Sequence, residues 1–491
     1  MTPQSSFMVA APIKEGRIGA LRDLLATMNL HERPGMADPN NQILPFAEFD
    51  GLHFARFVIL DDQTLSDFAE IGEPIPTYPV RLAFLGDHDG TSDFLGLLVQ
   101  HPIAAAGLRR IFANCEGFEA NSDLLGWMKR YEHRPAAAYV NWVGRTVLQI
   151  REEAALRDVL VKYVDENRGE LQRLDPQEVH ARLKEHAGAM QLSRPAPTPF
   201  GWQVKNLLHV AIIPGALILP WLLAIPFLVP LPKLFPFVVI PSLVVSVLVF
   251  LWLARRTPVL FAVLVGLGLL LVPLLLLFPL VLGAIALVVL AFLWILRRYE
   301  KSEPEFIPNP TLEHVEELAA LEDHDVSNQY SLVGSVKPSR FRRWMVIAIL
   351  WLTDYGARHI YNCGSLARIQ TIHFARWVFL DGKKRIFFGS NYDGSDEAYM
   401  DDFINKVGWG LNLAFASGVG YPRTNWLVQD GAMDEQKFKA TNRRHQIPTQ
   451  VWYKAYPGLT GFDLARNARV RQGFERDTMT DKEIRTWMRN L

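Results

Sequence analysis

The stretch HFARFVILDD, residues 53–62, returns as HFARWVFLDG at residues 373–382. The copies differ at Phe57/Trp377, at Ile59/Phe379 and at the terminal Asp62/Gly382. Repetition over so long a separation commits the chain to building one module twice. Each copy alternates as a strand does. His53, Ala55, Phe57 and Ile59 point one way, and Phe54, Arg56, Val58 and Leu60 the other. His373, Ala375, Trp377 and Phe379 stand likewise against Phe374, Arg376, Val378 and Leu380. Apolar residues on both faces predict a strand covered twice, by helices on one side and a second sheet on the other.

The flanks repeat as well. FMVAAPI (7–13) and YSLVGSV (330–336) predict strands, and EGRIGALRDLLATM (15–28) and PSRFRRWMVIAILWLTDYG (338–356) predict helices. Segments 78–99 and 383–404 each read as a strand, an Asp-Gly turn and a helix, with a last strand near 136–143 and 449–456. A helix over 151–174 closes the first half. The expected class is α+β, with each half in the ferredoxin-like order β-α-β-β-α-β.

Between the halves, Leu207 to Leu296 is almost wholly Leu, Val, Ile, Phe, Ala and Pro. That is far more than the roughly 20 apolar residues that cross a bilayer once. Breaks at 229–236, 254–258 and near Pro273 to Pro279 divide it into about four transmembrane passes, 207–229, 235–254, 259–276 and 279–296. Four passes put Lys205, Arg255, Arg256, Arg297 and Arg298 on one face. The positive-inside rule then places both flanking domains on the cytoplasmic side of the cell inner membrane. The spans hold no Asp, Glu, Lys or Arg, which favours an anchor over a transporter. The expected division is a first ferredoxin-like domain with a helical extension (1–190), a linker (191–205), the membrane helices (206–298), a linker (299–326) and a second domain (327–491).

Charge narrows the partners. Lys and Arg number 51, as do Asp and Glu, so no overall basic field exists to hold nucleic acid. Cys115 and Cys363 form no CxxC pair, which argues against a disulfide framework or a thiolate zinc site. The leading MTPQSSFMVAAPIKEG has no basic region ahead of an apolar core, so no cleavable signal is expected.

His53 and His373 are the foremost candidates for chemistry, since a neutral imidazole can ligate iron or another metal, or bond across a sheet. Arg56 and Arg376 face the other way and are expected to pair with acids such as Asp61 and Asp381 or to cap a helix, or to polarise an anion. Asp89 and Asp393 precede glycines, which a turn into a helix also requires. Arg443, Arg444 and His445, beside Trp452, Tyr453 and Tyr456, could hold an anionic ligand or form a solvated loop. Glu313, His314, Glu317, Asp323, His324 and Asp325 could gather a divalent ion or simply line charged helix faces.

On this layout residues 1–150 and 327–491 resemble the dimeric α+β barrel superfamily, which includes dye-decolorizing peroxidases and chlorite dismutases. Those peroxidases carry a G-x-x-D-G loop whose Asp works with an Arg on the distal side of haem. Gly86-Asp87-His88-Asp89-Gly90 matches that pattern, and Ser390-Asn391-Tyr392-Asp393-Gly394 lacks its first glycine. The resemblance implies haem as cofactor, Asp89 as acid-base, Arg56 or Arg376 as polarising cation, and His53 or His373 as iron ligand. The apolar insertion departs from that family. The HFAR repeat is also similar to bacterial membrane proteins of unassigned role. Two functions follow as expectations. The first is a membrane-bound ligand-binding or scaffolding unit with the lipid bilayer as partner, a lipid or small hydrophobic ligand, and self-association into a homo-oligomer. The alternative is a membrane-anchored haem peroxidase acting on peroxides or lipid-soluble substrates.

Overall fold

A computed structural model describes residues 1–228 and 279–491, apart from 92, 307, 308 and 363. The first half runs β1 (Gln4–Pro12), α1 (Ile18–Ala26), β2 (Leu52–Leu60), β3 (Arg81–Asp89), α2 (Pro102–Phe112), β4 (Ala137–Val140) and α3 (Val147–Glu166). After α4 (Phe200–Leu228) and α5 (Pro279–Ser302) the second half runs β5 (Ser327–Ser335), α6 (Arg340–His359), β6 (Ile372–Leu380), β7 (Arg385–Asp393), α7 (Asp396–Phe415), α8 (Glu435–His445), β8 (Thr449–Lys454) and α9 (Gly461–Glu475).

The repeated strands β2 and β6 lie inside their sheets in matching register. Phe57 faces Phe84 across one pair and Trp377 faces Phe388 across the other. The last strands do something the ferredoxin-like order does not. They cross over. β8 pairs with β2, so the first sheet reads β1-β3-β2-β8, extended beyond β8 by Arg33–Ala37 and Asn29–Leu30. β4 pairs with β6, so the second reads β4-β6-β7-β5. The expectation of two self-contained β-α-β-β-α-β units is therefore corrected: each half supplies the strand that borders the other half's sheet. Single bridges, Val9 to Glu132 and Leu332 to Gln446, mark where the crossing chains leave one sheet for the other.

The two sheets meet through Met8, Ala10, Val58, Leu60, Ala83, Leu85, Val333, Val378, Leu380, Phe387 and Ile447. Fully burying an aliphatic or aromatic side chain contributes about 1.5–3 kcal/mol, so this layer is a major part of the core. Outer faces carry the helices. In the first half Phe57 and Phe84 stack at 4.4 Å, with Phe7 against Phe84 at 5.0 Å and against Phe94 at 5.5 Å.

The membrane expectation is also corrected. Among the described residues no helix is long and apolar enough to cross a membrane. The ends of α4 and α5 are tied into the folded body. His209 of α4 meets His359 of α6 at 2.8 Å, and Tyr355 donates its hydroxyl to the Val210 carbonyl. Glu300 of α5 is 1% exposed and accepts from the Leu427 and Trp426 amides and the Thr424 hydroxyl. Arg297, expected to mark a cytoplasmic face, pairs with Glu300 and lies over the Trp426 ring. The four-pass integral membrane protein, its inner-membrane location and its paired cytoplasmic domains are not supported by these helices. The stretches expected as passes at 235–254 and 259–276 lie outside the described residues.

Candidate functional site

Each repeat carries its histidine at a shift of register, between Leu52 and Phe54 on β2 and between Ile372 and Phe374 on β6. A bulge adds one residue to the strand and re-aims the side chain there. His53 Nε2 then lies 2.9 Å from Asp89 Oδ1, and His373 Nε2 lies 2.7 Å from Asp393 Oδ1. The second carboxylate oxygen is used alike in both halves. Asp89 Oδ2 accepts from the Val147 amide at 2.9 Å, and Asp393 Oδ2 from the Gly461 amide at 2.7 Å. Those amides open α3 and α9, whose capping boxes start at Thr146 and Thr460. Helix N-termini have free N–H groups and favour negative charge. The repeated histidine and aspartate thus latch a strand to the start of a helix, twice. Gly90 and Gly394 make the turn after each aspartate at φ +80° and +82°.

The two latches touch. The His53 ring lies 5.1 Å from Phe374, and His373 lies 5.6 Å from Phe54. Between the sheets, Arg56 donates to the Tyr330 and Ser390 carbonyls, each at 2.8 Å, and to Asn391. Arg376 donates to the Phe7 carbonyl at 2.8 Å and to Asp87. Arg56 therefore bridges to β5 and β7 of the opposite sheet, and Arg376 to β1 and β3. The expected partners are engaged elsewhere, Asp61 with Arg22 and Asp381 with Arg81 and Arg385. Burial, and after it the neighbouring Arg376, pulls the Arg56 guanidinium down to about 9, with Asp87 opposing.

Held in these contacts, His53, Asp89 and the two arginines do not fit a haem site. Both ring nitrogens of His53 are engaged, Nε2 by Asp89 and Nδ1 by the Tyr456 hydroxyl at 3.1 Å. Asp89 spends both oxygens on the latch, and both arginines spend their donors on the opposite sheet. The structure brings His53 and Asp89 together as a tie between elements, with Arg56 and Arg376 in a separate interior layer.

The other candidates are likewise absorbed. Arg443 pairs with Glu322 and Asp396, Arg444 with Asp67, and His445 Nδ1 lies 2.9 Å from the Thr441 carbonyl. His314 meets the Arg443 and Gln446 carbonyls. Among the described residues no group of three or more His, Cys, Asp or Glu could hold a metal ion.

What the sequence reading missed is a cavity. It occupies about 320 Å³ between α6, α7 and the outer face of the second sheet. Trp377, Phe388, Phe403, Val407, Leu411 and Phe415 line it, and among the described residues none of its lining groups is charged. Its rim includes the exposed Leu352 and Trp409. In the first half the same face is filled by the stacked Phe57 and Phe84, by Phe7 edge-on to Phe84, and by Leu21, Leu25, Leu108 and Ile111, all buried. Helix α7 departs from helical geometry at Val407 (φ −144°, ψ 30°), just before Gly408 and Gly410. Glycine pairs are a recognised cause of helix kinks. VGWG within a helical pattern was the available signal.

One acid beside this helix sets a pH dependence. Asp396 opens α7, its Oδ1 is buried without a partner, and Oδ2 lies 3.3 Å from Arg443. Burial pushes its carboxyl from 3.8 up to about 6, against the pull of Arg443. Between pH 4 and 6 the folded chain keeps a proton that the unfolded chain releases, so stability falls as pH rises through that window. The expected loss is about 3 kcal/mol. Urea unfolding across pH 4–7 should show it, with a flatter profile in Asp396→Asn.

No protein-family model, no curated protein and no solved structure matches this chain.

Proposed function

We propose that this protein binds a neutral, largely apolar small molecule in the cavity between α6, α7 and the outer face of β6 and β7. The observation that supports this most is the asymmetry of a duplicated module. One copy packs its outer face with stacked rings, and the other keeps about 320 Å³ open at the same place. An engineered cavity of ~150 Å³ holds benzene, so this one suits a bicyclic molecule or a short hydrocarbon chain. Apolar walls with few polar groups are the general character of small-molecule sites. The first half then acts as a rigid backing, locked to the second by the exchanged strands.

Fluorescence titration with N-phenyl-1-naphthylamine tests the reading. Ala414 lies on the wall and is 7% exposed, so Ala414→Phe puts a ring into the void. Binding should weaken about tenfold or more, the equivalent of about 1.4 kcal/mol. Trp344→Gln, at an exposed tryptophan outside the cavity, should leave binding unchanged. Equal affinity in wild type and Ala414→Phe, or loss in Trp344→Gln alone, would refute the site.

A further inference from the structure

We infer that Glu300 is a positioning residue for this cavity: it clasps the loop of residues 424–434, and that loop sets the place of the α7 and α8 walls around the ligand. This rests on the reading of the cavity as a ligand site. Glu300 lies in the last turn of α5, is buried, and is not itself part of the lining.

Its carboxyl group is spent on one short stretch of chain. Oε1 accepts from the Leu427 amide at 2.8 Å and the Thr424 hydroxyl at 2.9 Å. Oε2 accepts from the Trp426 amide at 3.0 Å and from Arg297, whose guanidinium lies 5.4 Å from the Trp426 ring centroid. The backbone held in this way is strained. Trp426 and Leu427 have φ +55° and +65°, and Asp430 has φ +55°, in the left-handed region that residues other than glycine seldom adopt. Such conformations persist where their surroundings fix them. Here the fixing group comes from a different helix, 127 positions from Leu427.

The other side of the loop is joined to the cavity wall. Asn412 of α7, fully buried, accepts from the Ala432 amide at 2.8 Å and donates to the Asp430 carbonyl at 3.0 Å. It sits between Leu411 and Leu413, both in the lining. A Cβ placed on Gly408 would stand 3.8 Å from Met433, so the loop also rests on α7 beside its departure at Val407. The loop then runs into α8, which adds Phe438 and Asn442 to the lining. Leu427 itself packs in the core cluster that holds Trp377, Phe388 and Leu411. Loss of the Glu300 clasp therefore shifts two walls of the cavity together, next to the glycine pair at which α7 bends.

Glu300→Gln tests this while keeping the size of the side chain. In either orientation its NH2 group faces the Trp426 or the Leu427 N–H, a donor against a donor. N-phenyl-1-naphthylamine should bind the variant about fivefold or more weakly than wild type, the lower end of couplings between separate sites. Asp89→Ala, which loosens the latch of the first half, should bind the probe as wild type does. In wild type, saturating probe should slow hydrogen exchange at the Trp426, Leu427 and Ala432 amides more than at the Val147 amide, because coupling acts in both directions. That readout needs no variant to fold. Wild-type affinity in Glu300→Gln, an equal loss in Asp89→Ala, or loop amides slowed no more than Val147 overturns the inference and leaves the cavity standing as a site. If the probe fails to bind wild type, the cavity is refuted as a site and the inference falls with it.

Discussion

Asp87→Asn should destabilise the fold by about 3–5 kcal/mol, the usual cost of leaving a buried charge without its partner. Arg56 and Arg376 are 3% and 4% exposed, and both sit between the sheets. Asp87, itself 4% exposed, is the carboxylate that meets Arg376, while Arg56 meets Asn391 at the corresponding place on β7. Two guanidiniums thus share one formal negative charge beside apolar side chains of Met, Ala, Val, Leu, Phe and Ile. Removing that charge leaves both cations to be satisfied by neutral oxygens alone. The pseudosymmetry supplies a control. Asn391→Asp in the same chain returns a carboxylate to the layer beside Arg56, and should recover at least half of the loss. Equilibrium urea unfolding measures both, and a change under 1 kcal/mol for Asp87→Asn would show that the arginines need no carboxylate.

Asp393→Ala is the second large effect expected, about 2–4 kcal/mol. It removes the acceptor for His373 Nε2 and for the Gly461 amide, and hydrogen bonds to a charged group are worth about 1.5–3 kcal/mol each. Gly461 opens α9, whose Val470 and Phe474 pack with Leu156 and Leu160 of α3, so the loss reaches the helical layer. Asp393→Asn keeps an oxygen for the Gly461 amide and should cost less. Asp89→Ala should behave in parallel through His53 and Val147. Because His53 touches Phe374 and His373 touches Phe54, the double variant should depart from additivity by at least about 0.5 kcal/mol. Strict additivity, or a loss below 1 kcal/mol for Asp393→Ala, would mean the latches are independent or idle.

Parts of this were legible in the chain. The HFAR repeat announces a duplication, and the period of two on residues 52–60 and 372–380 gives central strands, because side chains alternate across a pleat whatever surrounds them. Asp-Gly after β3 and β7 gives a turn, since glycine tolerates positive φ. How the His53 ring and the Asp89 and Asp393 carboxylates would be engaged was not legible. That depends on Tyr456, Val147 and Gly461, which reach His53, Asp89 and Asp393 only through folding. The long apolar run gives membrane spans by its hydropathy, which carries no information about the contacts made by the residues at its ends. The buried Glu300 and the His209–His359 contact reveal the protein neighbours of α5 and α4.

The amino-acid sequence by itself determined that there are two modules, where their strands and turns fall, and which side chains recur. These are local consequences of φ preferences and hydrophobic period, and each is written within a few residues. Only the tertiary structure decided that the last strands change places, that two buried arginines share one carboxylate, and that one copy of the module is hollow. Strand exchange leaves the alternation of a strand unaltered, since either sheet edge satisfies the same backbone groups. A cavity is a difference between volumes brought together from α6, α7 and two strands, and no single segment encodes it.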